Sequence, residues 1–203
     1  GSDPMDYHAL EAMQCMIERR KGGETGVKQV QMIEGDDVWK ALDEGRFSRR
    51  LLEAALSRSD TPCGKTDEDG RTQDLLGNGE LPVLVDKPAA YFIEHNDGLK
   101  TTLLMLNGAI KDFCFACEAD GEIVSTQFFL SPTPTVTYSA CLVAKIEEMI
   151  ETDKAPFPAE RTLIVSGALE SCLTSKVEDH KTLETPHLSV TYEAPDESHH
   201  ARF

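Results

Sequence analysis

The chain has 203 residues, 40% of them hydrophobic and 28% charged, and a formal net charge of −16. That length is enough for one domain with a sizeable core, and that charge repels phosphate backbones, which argues against nucleic acid as a general partner. No apolar run approaches the roughly 20 residues that span a bilayer, and no basic-then-apolar segment opens the chain, so neither membrane contact nor secretion is expected and the cytoplasm is the expected compartment.

Gly1 to Met5 reads as an expression scar, with Met5 as a native start the alternative. Residues 6–195 read as one domain and 196–203 as a frayed tail. From Asp6 to about Lys21 the pattern is helical: Leu10, Met13 and Ile17 recur at helical spacing, Ala9 and Met16 widen the face, and Gly22-Gly23 stops it. The basic run Arg19-Arg20-Lys21 sits at the negative end of that helix and reads as a solvated terminus. Val27 to Glu34 is a candidate strand, and Asp36 and Asp37 can cap a short helix through about Glu44. Ser48 can cap another, with Leu51, Leu52, Ala55 and Leu56 facing inward. Residues 57–82 are polar, charged, glycine-rich and without periodicity, which predicts a long mobile loop.

The stretch from Ala89 to Leu130 is cut by Asn96-Asp97-Gly98, Asn107-Gly108 and Asp120-Gly121, dipeptides that supply the positive φ of tight hairpin turns. It predicts four consecutive antiparallel strands, roughly 89–95, 99–107, 109–118 and 122–130. Ser139 can cap an amphipathic helix in which Leu142, Val143, Ile146, Met149 and Ile150 share one side. A second helix runs from near Pro158 to about Lys176, with Gly167, Ala168 and Cys172 small enough to lie close on the sheet. Leu188 to Tyr192 alternates like a final strand. The fold class is α+β, a large, mostly antiparallel sheet with helices packed on one face.

The six cysteines are spread evenly, so free and mostly buried thiols are expected. Cys114-Phe-Ala-Cys117 lies inside a predicted strand, where an offset of three sends the thiols to opposite faces, and no second ligand pair for zinc is visible. His199-His200 reads as solvated tail. No metal site is expected.

Several segments together carry a likeness: Tyr7 to Glu24, Gly98 to Gly108, Ser125 to Leu130, Phe157 to Leu163 and Leu183 to His187. They resemble the C-terminal domain of the Gfo/Idh/MocA oxidoreductases, in a poorly characterised bacterial branch, over most of residues 6–193. The resemblance implies an α+β domain in which one sheet face helps form the substrate site and the other mediates a homodimer. It also implies an N-terminal Rossmann domain, in cis, for NAD or NADP. No GxGxxG after a strand occurs here, so this chain is expected to bind no cofactor in the family's manner.

Asp86-Lys87-Pro88 imitates the family's Glu-Lys-Pro motif, but it follows the candidate histidine helix and leads into a strand, so Lys87 reads as structural. His8-Ala-Leu-Glu11 resembles the end of the family's Asp-x-x-x-His-x-x-Asp helix. The resemblance implies His8 as a proton-exchanging catalytic residue, with Glu11 orienting its imidazole. The family's preceding aspartate would fall on Pro4, and Asp6 stands two positions before His8; a capping or surface histidine is the other reading. His95, before a turn, is a candidate substrate contact or an exposed imidazole. Asn96, Asp97 and Asn107 read as turn formers. His187 and Glu160-Arg161 belong to the resemblance without a role. Two functions follow: the substrate-side and oligomerisation domain of an NAD(P)-dependent oxidoreductase lacking its Rossmann domain, or a stand-alone, non-enzymatic interaction module that dimerises.

Overall fold

The computed structural model describes residues 3–63, 74–129 and 136–195. The fold is α+β. Its main sheet is antiparallel, in the order β3 (Lys100–Met105), β2 (Ala89–His95), β1 (Val27–Glu34), β6 (Leu183–Glu184). Register follows the alternation of apolar residues. Val30 stands opposite Ile93 and Met32 opposite Tyr91, while Ile33 meets Ala90 across the other face. A one-residue slip would turn both sets over, so burial of the two faces holds the pairing.

On one face lie α1 (Asp3–Ile17) and α6 (Ala159–Val177), which close over Val30, Met32, Tyr91 and Ile93. Ala168 and Cys172 are buried there, as small residues on a close-packed helix should be. Gly167 instead abuts Leu188, in a 3-10 turn over Pro186–Leu188. The expected strand 188–192 is this turn followed by a single bridge from Tyr192 to Glu24. On the other face α2 (Asp36–Asp43), α3 (Arg49–Leu56) and α4 (Leu81–Leu84) build a second apolar cluster with Ile33, Ala90 and Leu106. Ser48 caps α3, accepting from the Leu51 amide at 3.2 Å; Asp36 and Asp37 lie in the first turn of α2 without capping it.

Three expectations are corrected. The 89–130 meander divides: β4 (Cys114–Ala119) and β5 (Glu122–Gln127) form a separate hairpin. The cause is that the polar groups between β3 and β4 have other partners. The Cys63 amide donates to the Ala109 carbonyl, the Lys111 amide to Thr61 Oγ1, and Asp112 accepts from Ser59 Oγ and the Asp60 amide. The polar loop 57–82 is therefore anchored at its start, and at its end Leu75, Leu76 and Leu81 are core; its residues 64–73 lie outside the described residues, as do 1–2 and 196–203. α1 takes in residues 3–5. α5 (Val136–Thr152) begins before Ser139, which therefore does not cap it.

Gly26 shows how closely the chain ends approach. It has φ +86°, and a Cβ there would lie 2.5 Å from the Leu188 carbonyl oxygen and 2.7 Å from the Val190 nitrogen. The two nearest atoms are backbone, which cannot swing aside as the Asn96 side chain at 3.0 Å could. Gly26→Ala is expected to cost at least about 2–3 kcal/mol, read from the urea midpoint.

Candidate functional site

Under the sheet end, a chain of hydrogen bonds runs between α1 and the strands. Glu24, its side chain fully buried, is the hub. Its Oε2 accepts from Gln14 Nε2 at 2.7 Å, and its Oε1 from the amides of Thr25 and Gly26 at 2.9 Å each. Arg20 pairs with it at 3.2 Å and, through Nε, with Asp97 at 2.7 Å. His95 Nδ1 lies 3.1 Å from Oε1. From Gln14 the chain continues to the Tyr192 hydroxyl, thence to Glu18, and from Glu18 to Arg161, which also grips Glu11. Burial pushes the Glu24 carboxyl up, but hydrogen bonds from His95, Arg20 and Gln14 outweigh it and hold the group well below the usual carboxylate range. Burial likewise raises the Tyr192 hydroxyl, reinforced by its bond to Glu18.

The sequence-derived site residues do not converge. His8 is exposed in the second turn of α1, its ring edge-on to Tyr7 at 6.3 Å; since α1 starts at Asp3, it does not stand at a helix start. Glu11 is turned to Arg161. His95 is 1% exposed and faces the α1/α6 layer, so the expected exposed or substrate-touching imidazole is a core residue. Its Nε2 has no partner and borders a cavity of about 10 Å³ shared with Leu10, Gln14 and Ile164, room for about one water. Asp6 is buried and accepts from the Tyr91 hydroxyl at 2.6 Å. Lys87 is exposed just before β2.

Sequence reasoning missed Glu24, Gln14, Glu18 and Tyr192, and took Arg20 for part of a solvated terminus. One signal was present: Glu24 stands between Gly23 and Gly26, glycines that let backbone close around a carboxylate.

A larger concavity lies elsewhere. A groove of about 660 Å³ runs between β3 and β4, floored by Leu103, Met105, Phe113, Phe115 and Phe128 and walled by α1 and α3, a size and character suited to an organic ligand or an apolar side-chain stripe. Cys114 and Cys117 border it as free thiols. Burial, then the Asp112 carboxylate, pushes the Cys114 thiol up to about 12, which disfavours its reactive thiolate form at neutral pH. Among the described residues no group of three or more His, Cys, Asp or Glu is placed to hold a metal ion, and no helix is long and apolar enough to cross a membrane.

Compared with protein families, with curated proteins and with solved structures, the chain finds no match in any of the three.

Proposed function

We propose that this chain is the substrate-side and oligomerisation domain of a Gfo/Idh/MocA-like, NAD(P)-dependent oxidoreductase of the cytoplasm, acting with a Rossmann domain supplied in cis. One observation carries the reading. Segments that carry the resemblance, far apart in sequence, meet in the buried network. Arg161 of the 157–163 segment binds Glu11 and Glu18 of the 7–24 segment. Glu24 and Arg20 reach His95 and Asp97, beside the 98–108 segment. Thr185 of the last segment bonds into β1 through the Val27 and Lys28 carbonyls. Residues thus tied hold an antiparallel sheet within an α+β domain, the class the resemblance implies for the second domain. On the other face, beside the cluster that α2, α3 and α4 build there, Gln29, Gln31, Phe92, Glu94 and Thr102 are only half-buried, which supports a homodimer through that part of the face.

In this reading the nicotinamide performs the hydride transfer, and the chain contributes the sheet against which a sugar-like or polyol substrate is positioned. His8, exposed on α1, is the residue free to exchange a proton with a substrate hydroxyl. Calorimetric titration of this chain with NADH and NADPH is expected to give no saturable binding, whereas the chain joined to the Rossmann domain proposed upstream of Asp6 is expected to bind one of them. Saturable binding by this chain alone, or an upstream reading frame with no nucleotide-binding strand–helix pattern, would overturn the reading.

The second reading, a non-enzymatic interaction module, draws on α5, which exposes a stripe of apolar side chains on an otherwise folded domain.

A further inference from the structure

The split of the sheet leaves two strand edges without partners, and both border the β3–β4 groove. Residues 99–107 and 110–118 line it consecutively. A strand that turned a face to the groove would show alternate residues only, so it is the edges that border it. In an antiparallel pair, residues that exchange bonds with the partner alternate with residues whose backbone groups point away. The His95 amide donates to the Leu99 carbonyl at 2.8 Å, which sets the phase. Thr101, Leu103 and Met105 therefore bond to β2, while Lys100, Thr102 and Leu104 turn their amides and carbonyls outward. In the hairpin the Phe128 amide donates to the Phe113 carbonyl at 2.8 Å, so Phe115 and Cys117 bond to β5, and Cys114, Ala116 and Glu118 point away. All six outward residues line the groove, and among the described residues their outward groups make no backbone bond to another element.

Unpaired amides and carbonyls along a strand edge are a template for another strand. Here two such rows share one slot. What completes both is a molecule with amides and carbonyls along each of its sides at the strand period, which is an extended polypeptide. The walls set its side chains. Leu103, Phe113 and Phe115 pack with the α1 layer, and Leu52, Leu56 and Leu104 with the cluster on the opposite face. A strand between them is apolar on both faces, as strands of doubly covered sheets are. Charge makes no choice, because Arg46, Lys100 and Lys111 share the border with Asp112 and Glu118. Of the sequence outside the described residues, 64–73 and 196–203 are mainly polar or charged, and 130–135 carries Pro132 and Pro134, which lack amide protons. None of these is such an apolar run.

From these two edges we propose that the groove receives one extended, apolar strand of another polypeptide. About six residues, roughly 20 Å long, pair with β3 on one side and β4 on the other and join the two sheets into one. The inference does not rest on the oxidoreductase reading, and it uses strand edges rather than the sheet face named there.

The probe is a neutral peptide, Ser-Gly-Val-Leu-Val-Leu-Val-Leu-Gly-Ser, capped at both ends, made soluble by a polyethylene glycol tail and titrated into the 15N-labelled full chain. In the free chain the amides of Thr101, Leu103 and Cys117 are expected to resist exchange with solvent, and those of Thr102, Leu104 and Ala116 to exchange at least about tenfold faster. Saturation with the peptide is expected to slow this second set by at least about tenfold. Two further peptides, N-methylated on one or the other alternate set of amides in the apolar run, are expected to bind at least about tenfold more weakly, since each loses its donors toward one edge. Equal exchange of the two sets in the free chain, no saturable binding, a bound peptide that leaves the second set exchanging as before, or an affinity indifferent to either methylation would each overturn the proposal.

Discussion

Glu24→Ala is expected to lower the free energy of unfolding by about 3–5 kcal/mol, measured by urea titration at pH 7. The substitution leaves Arg20 and His95 facing a void where a carboxylate stood, and it strips acceptors from Gln14 and from the amides of Thr25 and Gly26. A buried donor that loses its acceptor bears the full loss of hydration, which is why removing one partner costs more than the net worth of any single bond. Glu53→Ala, on the exposed side of α3, serves as the control, expected within about 0.5 kcal/mol of the parent. If the two variants were equally stable, Glu24 would not be the hub that the hydrogen bonds make it.

The same carboxylate fixes the direction of pH dependence. Its folded pKa lies below the ordinary value of 4.5, because the bonds from His95, Arg20 and Gln14 overcome the opposing effect of burial. The unfolded chain therefore binds the proton more readily than the folded one, and stability falls as pH falls. The contribution is complete above about the ordinary value of 4.5 and is lost progressively as pH drops below it toward the depressed folded value. Asp97 and Asp112 are shifted the same way, burial being outweighed by Arg20 in the first case and by Ser59, Thr61 and Gln127 in the second. Urea midpoints between pH 7 and pH 3 should decline steeply below pH 4.5 in the parent and more gently in Glu24→Ala. A parent midpoint that held flat to pH 3 would contradict this account.

The second large effect is expected at Leu81→Ala, about 2–5 kcal/mol by the same titration. Leu81 is wholly buried, with Leu75 and Leu76 beside it, against Val38, Leu42, Ala90 and Leu106. Asp74 shapes the preceding turn by accepting from the amides of Leu76 and Gly77 at 3.2 and 2.8 Å. Deleting three carbons from a close-packed site leaves a cavity that its neighbours fill only in part, hence the size of the effect. Val83, two positions on and 78% exposed, gives the contrast: Val83→Ala should stay within about 0.5 kcal/mol. Were this stretch a mobile insertion, as its composition suggested, the two substitutions would be indistinguishable.

Much of the secondary structure was legible before the fold. The spacing of Leu10, Met13 and Ile17 specifies α1, Ser48 specifies the start of α3, and the turn dipeptides mark the ends of β2 and the β4–β5 hairpin. These are local signals, in which the residues that dictate the conformation lie within a few positions of it. What pairs with what was less legible. Asn107-Gly108 was read as joining two adjacent strands, but Cys63, Thr61 and Ser59 take up the polar groups that the pairing would need. Those competitors are about fifty positions upstream, in a segment whose composition carried no periodicity.

The buried network was hidden for the same reason. Acidic and basic residues near a helix end are usually solvated, and nothing in Arg19-Arg20-Lys21 distinguishes Arg20 from its neighbours. The approach of β2 and the C-terminal segment puts Asp97, His95 and Tyr192 around it and Glu24. Periodicity and turn chemistry, which act over a few residues, determined the helices, most of the strands and the α+β class. The split of the sheet, the burial of His95 and the commitment of Glu11 to Arg161 were decided only in the tertiary structure, because hydrogen bonds between residues about 50 to 180 positions apart leave no pattern in either local sequence.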